Sequence, residues 1–272
     1  MLVDVVAAGG VLILSGAGLS TESGIPDYRG PTGLARRVSG PMTYQTFAGS
    51  AEARRRYWAR SYLGWRHIAR AAPNHGHRAV AELGRLGMLA GIITQNVDGL
   101  HQAAGASGVT ELHGSLHRVV CLSCGQRSSR TDLDRRLAEA NSGWDDASAA
   151  LINPDGDAVL DDAATESFRV VDCRACRGVL KPDVVFFGEN VPPDRARACY
   201  YLVEQASSLV VLGSSLTVMS GLRYVRHAAR LDVPVVIVNQ GTTRGDVHAT
   251  AILDAPLGQV LTALIDRIGA QE

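Results

Sequence analysis

Four of the five cysteines in this 272-residue chain fall into two Cys-x-x-Cys pairs, Cys121/Cys124 and Cys173/Cys176. Four thiolates at this spacing can close a tetrahedral zinc site with no open position, and such a site is structural. Reactive chemistry must then lie elsewhere. The nearest candidate is His113, in Glu111-Leu-His-Gly-Ser115, where Gly114 leaves room for a substrate. A single histidine beside a metal module also serves often enough in packing or at the surface. His75, His77 and His101 lack that context. With four cysteines present, His113 is not needed as a zinc ligand. Cys199 stands alone in a helical pattern and reads as packing.

Two further polar clusters could do chemistry. Gly16-Ala17-Gly18-Leu-Ser-Thr21 follows an apolar run. A glycine-rich turn that exposes backbone amides suits a pyrophosphate, since no side chain blocks close approach. The third glycine of G-x-G-x-x-G is absent, and Thr21 stands in its place. The acidic residue expected about 20 positions on in dehydrogenases is absent too. The same residues would serve equally as an ordinary strand-to-helix turn. The tail Ser23-Gly-Ile25-Pro-Asp27-Tyr28-Arg29 adds polar groups around a rigid proline. Thr94-Gln95-Asn96-Val-Asp98-Gly-Leu-His101 sets two amides and a carboxylate after a second apolar run. Those groups can grip ribose hydroxyls and a carboxamide, or Asn96 or Asp98 can simply cap a helix.

The elements that must position these residues are short and apolar. Val11–Ser15, Gly91–Thr94, Leu209–Gly213 and Val233–Val238 read as strands buried on both faces. Helical patterns, such as His75–Leu86 and Pro193–Ala206, lie between them. This alternation predicts an α/β fold with a parallel sheet. Ligands of open parallel sheets bind at the carboxyl ends of the strands. Here those ends carry Gly16 to Gly18, Gln95 to Asp98, Gly213-Ser214-Ser215 and Asn239-Gln240-Gly241. Two segments break the alternation: an Arg- and aromatic-rich stretch from about 30 to 72, and the cysteine-bearing stretch from about 116 to 180. Asn153-Pro-Asp-Gly156 within the latter is an expected turn. Lys181-Pro-Asp-Val-Val-Phe-Phe187-Gly188-Glu189 reads as a core strand, or as an edge that pairs with an extended peptide.

Composition narrows the function classes. Twenty-seven basic residues balance 27 acidic ones, so a dedicated nucleic-acid binder is disfavoured. Lys181 is the sole lysine, a pattern that fits a GC-rich genome. Paired cysteines fit a reducing compartment and a metal better than a disulfide framework. The apolar stretch Val5–Leu14 is too short to cross a membrane and has no basic region ahead of it. A soluble cytoplasmic protein is expected.

Taken together, these motifs resemble the sirtuin family of NAD-dependent protein deacylases. Gly16 to Arg29, Thr94 to His101, His113-Gly114, both cysteine pairs, Lys181 to Gly188 and Gly213-Ser-Ser-Leu-Thr-Val218 occur in family order and span nearly the whole chain. Tyr57-Trp-Ala-Arg60, Asn153-Pro-Asp-Gly-Asp157 and Lys181 to Phe187 look most like class II sirtuins, closest to the mitochondrial animal member of lipoamidase and ADP-ribosyltransferase type. Tyr28 stands where phenylalanine is commoner and Ser214 where threonine is.

The resemblance implies a Rossmann-like domain of about 1–30, 73–115 and 181–272, a helical module of about 31–72 and a zinc module of about 116–180. NAD would be consumed, with acyl-lysine meeting it in the cleft between the domains. His113 would be the general base, acting with Asn96. Gln95 and Asn96 would contact ribose, Asp98 and Ile25 the carboxamide, and Tyr28 would cover the reaction centre, with Thr21, Asp27 and Arg29 alongside. Gly16, Ala17, Gly18, Gly213, Ser214 and Ser215 would lie at the phosphates. Asn239, Gln240, Gly241 and Leu257 would lie at adenosine. Phe187, Gly188 and Glu189 would sandwich the peptide with Ser220 and Gly221. Tyr57 and Arg60 would grip a dicarboxyl acyl group. The pKa of His113 is expected near working pH. Partners would be acyl-lysine peptides, with no membrane or nucleic acid, and a monomer is expected. Mono-ADP-ribosyl transfer, or a zinc-containing binding module without catalysis, remains the competing reading.

Overall fold

The computed structural model describes residues 1–28, 41–144 and 157–270. Arg29 and Asn153-Pro-Asp-Gly156 lie outside these residues. The described strands are, in chain order, β1 (Val11–Ser15), β2 (Leu89–Thr94), β3 (Val109–Glu111), β4 (Gly114–Cys121), β5 (Arg127–Ser129), β6 (Leu180–Val184), β7 (Ser208–Leu212), β8 (Val235–Val238) and β9 (Ala251–Leu253). The chain divides into two compact units.

The first unit comprises Met1–Gly30, Ala72–His113 and Val191–Glu272. Its sheet runs β3-β2-β1-β7-β8-β9, and every pairing is parallel. All residues of β1, β7 and β8 are buried, the expected state of central strands covered on both faces. Parallel pairing brings the carboxyl ends of β1, β2, β7 and β8 to one edge, so all four predicted polar ends share it. The helix His75–Arg85 starts where Asn74 accepts the His77 N–H at 3.2 Å. With the last helix, Leu257–Gly269, it buries Val80, Leu83, Leu261 and Leu264 in a core that includes Val11, Ile13 and Val210.

The second unit comprises Pro31–Ala71 and Gly114–Asn190. Its three-stranded sheet runs β5-β4-β6, and both pairings are antiparallel. Residues 181–190, expected with the first sheet, belong here because β6 pairs with β4. The helix Ala51–Ile68 begins at Ser50, which accepts the Ala53 N–H at 3.1 Å. It buries Tyr57, Trp58 and Tyr62 among Phe47, Phe168 and Phe186, and buries Trp65 as well. Arg130 is fully buried beneath it, 5.5 Å from the Trp58 ring and 5.3 Å from the Trp65 ring. Its guanidinium reaches Asp134 at 3.3 Å and the Ser61 carbonyl at 3.1 Å. Those partners offset part of the cost of burying its charge. No helix of the described residues is long and apolar enough to cross a membrane.

Candidate functional site

In the first unit, the turn after β1 packs directly on the turn after β7. Gly18 N–H donates to the Gly213 carbonyl at 2.9 Å. A Cβ at Gly18 would lie 2.9 Å from the Gly213 Cα, and one at Gly16 would lie 2.7 Å from the Ser214 Cβ. Gly213 has φ +61, and its Cβ would meet Leu19 N at 2.6 Å and Leu257 Cδ1 at 2.7 Å. The glycines therefore let two backbones touch, beside the backbone amides expected to meet a phosphate. Gly213→Ala is expected to destabilise the protein by about 3 kcal/mol, through both overlap and a left-handed backbone. A denaturant titration that finds less than about 1 kcal/mol would contradict this packing.

The end of β2 is stitched to the same turn. Gln95 Nε2 donates to Ser214 Oγ at 2.8 Å, and Asn96 Nδ2 donates to the Gly16 carbonyl at 3.0 Å and to Ser20 Oγ at 3.1 Å. Ser20 in turn donates to Asp98 Oδ2 at 2.7 Å, while Asp98 Oδ1 accepts the Leu100 N–H at 3.0 Å. Asp98 thus closes the turn ahead of the short helix Leu100–Ala103, whose N-cap is Gly99. Gly221, expected at a peptide, abuts Gln95: a Cβ there would lie 2.5 Å from Gln95 Oε1. Thr21 donates to the Gly18 carbonyl at 3.0 Å, Ala17 opens a short 3-10 turn, and Ile25 is buried. Asp27 and Tyr28 are partly exposed. Ser215 Oγ accepts from Thr217 at 3.1 Å. Asn239 Nδ2 donates to the carbonyls of Gln240 and Gly241, both at 2.9 Å, at the end of β8.

His113 is partly exposed at the foot of β3. Its Nδ1 lies 2.9 Å from the Gln95 carbonyl and its Nε2 lies 2.7 Å from Ser220 Oγ. A carbonyl only accepts, so Nδ1 carries the proton and Nε2 accepts from Ser220. Burial first, then the nearby Arg195 and Arg223, draw its pKa down to about 4, although the Gln95 hydrogen bond opposes the shift. This lies below the expected value near working pH, because desolvation penalises the imidazolium. The neutral ring presents a lone pair toward Ser220, the arrangement a general base requires.

Sequence reasoning passed over a buried polar layer beneath these groups. Ser15, Thr94, His101 and His77 are each at most 3% exposed. The two imidazole rings meet edge to face at 5.2 Å. Burial holds His101 at about 4 and His77 at about 3, the latter lowered further by His101 and Arg78. The unfolded chain takes up these protons from about pH 6.5 downward, whereas the folded chain does not until its own values are reached. Stability is therefore expected to fall by about 2 kcal/mol between pH 7 and pH 5.5. A thermal midpoint unchanged over that interval would contradict two neutral buried rings. The available signal was a polar residue, Ser15 or Thr94, closing each apolar strand.

In the second unit, Cys121, Cys124, Cys173 and Cys176 converge, with all four sulfur atoms within 4.8 Å of one another. A zinc–sulfur bond of about 2.3 Å implies sulfur–sulfur edges of about 3.8 Å in a tetrahedron. Cys121 and Cys176 are 3.5 Å apart and Cys124 and Cys173 are 3.9 Å apart, so the donor set fits zinc. The two knuckles repeat one geometry. Gly125 N–H donates to the Cys121 carbonyl at 3.0 Å and Arg177 N–H to the Cys173 carbonyl at 2.9 Å, both residues having positive φ.

Elsewhere in this unit, Tyr57 packs against Phe47 at 5.3 Å and Phe186 at 5.2 Å. Arg60 is bound to Asp162 at 3.0 Å and to the Leu160 carbonyl at 3.1 Å. The arginine expected at an acyl carboxylate thus holds a carboxylate of its own chain. The Phe187 carbonyl accepts the Tyr44 N–H at 2.9 Å, and the Gly188 carbonyl accepts from Gln45 at 3.0 Å. Glu189 accepts the Phe186 N–H at 2.9 Å and pairs with the buried Lys181 at 3.0 Å. Lys181 lies over the Phe186 ring at 4.7 Å, so the sole lysine fixes the shape of this segment. In the first unit, Cys199 is fully buried and burial pushes its thiol up to about 11, which fits packing.

Residues 16–220 match the model of the Sir2 family. NAD-dependent protein deacetylase 1 of Streptomyces coelicolor is 65% identical over 266 residues, covering 98% of this chain and 88% of that protein. The deacetylase of the same name from Mycobacterium avium is 49% identical over 271 residues, covering 98% and 94%. A solved structure of Sir2 with a p53 peptide and NAD+ has a TM-score of 0.78 at 30% identity, covering 99% of this chain and 98% of that one. A structure of Sir2Tm bound to a propionylated peptide has a TM-score of 0.76 at 29% identity, covering 98% and 97%.

Proposed function

Since this chain belongs to the Sir2 family, the sirtuins, whose co-substrate is NAD, we propose that it is an NAD-dependent protein-lysine deacylase acting through the carboxyl edge of its parallel sheet. The observation that carries the reading is His113: neutral, fixed at Nδ1 by the Gln95 carbonyl and accepting at Nε2. NAD supplies the ribose on which the acyl oxygen replaces nicotinamide. His113 Nε2 takes the proton of a ribose hydroxyl once that hydroxyl displaces Ser220. Asn96 presents Oδ1 to ribose, since its Nδ2 is committed to Gly16 and Ser20. Asp98 and Ile25 serve the carboxamide, and Tyr28 covers the centre. The first turn, with Gly213 to Ser215, takes the phosphates, and Asn239 to Gly241 with Leu257 take adenosine. Phe187 to Glu189 bind the peptide backbone. The cysteine quartet holds one structural zinc. The named relatives support acetyl-lysine as a substrate. Mass spectrometry of an acyl-peptide panel with NAD is the direct test: acyl loss matched by O-acyl-ADP-ribose is expected. Nicotinamide release with every peptide intact would replace this reading with ADP-ribosyl transfer.

The finer assignment is class II, supported by Tyr57-Trp-Ala-Arg60 and Lys181 to Phe187. It brings a preference for dicarboxyl acyl groups, with the incoming carboxylate exchanging for Asp162 on Arg60. A charge-assisted bond of about 1.5–3 kcal/mol corresponds to about a 10- to 100-fold change in selectivity. Arg60→Met is expected to lower the ratio of succinyl to acetyl turnover by that factor. An unchanged ratio leaves acetyl-lysine as the substrate and Arg60 as a structural partner of Asp162. The reading includes a monomer in the cytoplasm.

A further inference from the structure

Three side chains in the buried layer of the first unit have no role in the chemistry above, yet all are polar. Ser15, Thr94 and His101 are 0%, 3% and 2% exposed. Apolar residues of similar shape would fill the same space without the cost of desolvating polar atoms. Their hydrogen bonds form a single line that ends on the site. Ser15 Oγ donates to Thr94 Oγ1 at 2.9 Å. Since that bond uses the serine proton, the contact of 2.9 Å between Ser15 Oγ and His101 Nε2 has His101 as donor. Thr94 Oγ1 also accepts the backbone N–H of Asn96 at 3.1 Å.

The line fixes Asn96 from behind while Gly16 and Ser20 fix its side-chain nitrogen. The direction of the Ser15–Thr94 bond selects the tautomer of His101. Its Nδ1 has no hydrogen-bond partner among the described residues, and its ring is packed against that of His77. A proton on Nδ1 in place of Nε2 would leave Ser15 without its donor. We propose that His101 is a positioning residue, whose Nε2–H acts through Ser15 and Thr94 to hold Asn96 in the orientation that presents its amide to substrate. This rests on the reading of Asn96 as a ribose contact.

The test is a set of variants assayed at saturating NAD and peptide, with thermal midpoints alongside. His101→Leu removes the donor and is expected to lower kcat about tenfold or more, as small displacements of a positioning group do. His101→Gln, whose amide can still donate to Ser15, is expected to recover most of that loss even if its midpoint falls as far. In a Ser15→Ala background, His101→Leu is expected to have little further effect on kcat, because the line is already cut. Equal losses in His101→Leu and His101→Gln, or losses for His101 and Ser15 that multiply, would overturn the proposal. Nitrogen-15 NMR of labelled histidine reads the line apart from activity. Wild type should show a neutral Nε2–H tautomer for His101 that changes in Ser15→Ala, and an Nδ1–H tautomer would refute the arrangement. Asn96→Ala separates the two ideas: full activity there would overturn the role of Asn96 and with it the purpose of the line, whatever the tautomer.

Discussion

Replacing His113 with alanine is expected to lower deacylation by about 100- to 10,000-fold, the range general-base catalysis contributes. The ring is held by one acceptor and one donor, so its orientation is set before any substrate arrives. Its depressed pKa keeps it neutral across the working range. In the free enzyme, kcat/KM should therefore not fall through His113 protonation until the pH approaches about 4, well below an ordinary histidine. The folded state should survive the change, because His113 belongs to neither apolar core cluster described above and its ring is held by two hydrogen bonds. Chromatographic measurement of nicotinamide and O-acyl-ADP-ribose checks the loss, and circular dichroism checks the fold. More than a tenth of wild-type turnover in a folded variant would remove His113 from the base role. Ser220→Ala should be far milder, since its hydroxyl gives way to the substrate.

Removing zinc is expected to have the second large effect, and on the fold. Cys121 and Cys173 belong to the core of the second unit, along with Tyr57, Trp58 and Phe186. The sulfur atoms join the end of β4 to a distant turn, and without metal nothing covalent closes that loop. Metal binding at such sites is coupled to folding. Chelation, or Cys124→Ser, is expected to lower the thermal midpoint by roughly 10 °C or more. Metal analysis should find one zinc per chain before treatment, and near-ultraviolet dichroism should report loss of the tryptophan environment. Cys199→Ser serves as the control and should keep its metal. A chain that melts unchanged after quantitative chelation would show that the aromatic core is sufficient by itself.

The sequence by itself determined those features whose cause is local. Apolar runs such as Val11–Leu14 and Val235–Val238 announce strands covered on both faces, because burial is written into consecutive residue types. The cysteine pairs announce a metal because ligand spacing within each knuckle is fixed by one turn of chain. Polar strand ends locate an edge, since parallel pairing collects them there. Tertiary structure alone decided which polar atoms satisfy one another. Ser15 meets His101 across 86 residues and Arg60 meets Asp162 across 102. Nothing in the sequence sets His77 and His101 apart as buried residues, yet the fold leaves them 0% and 2% exposed. Gly16, Gly18 and Gly213 read along the chain only as glycines of two turns, and their close backbone contact appears once the turn after β7 packs on the turn after β1. A hydrogen bond between such distant groups depends on how every intervening element packs, and no residue pattern along the chain carries that distance.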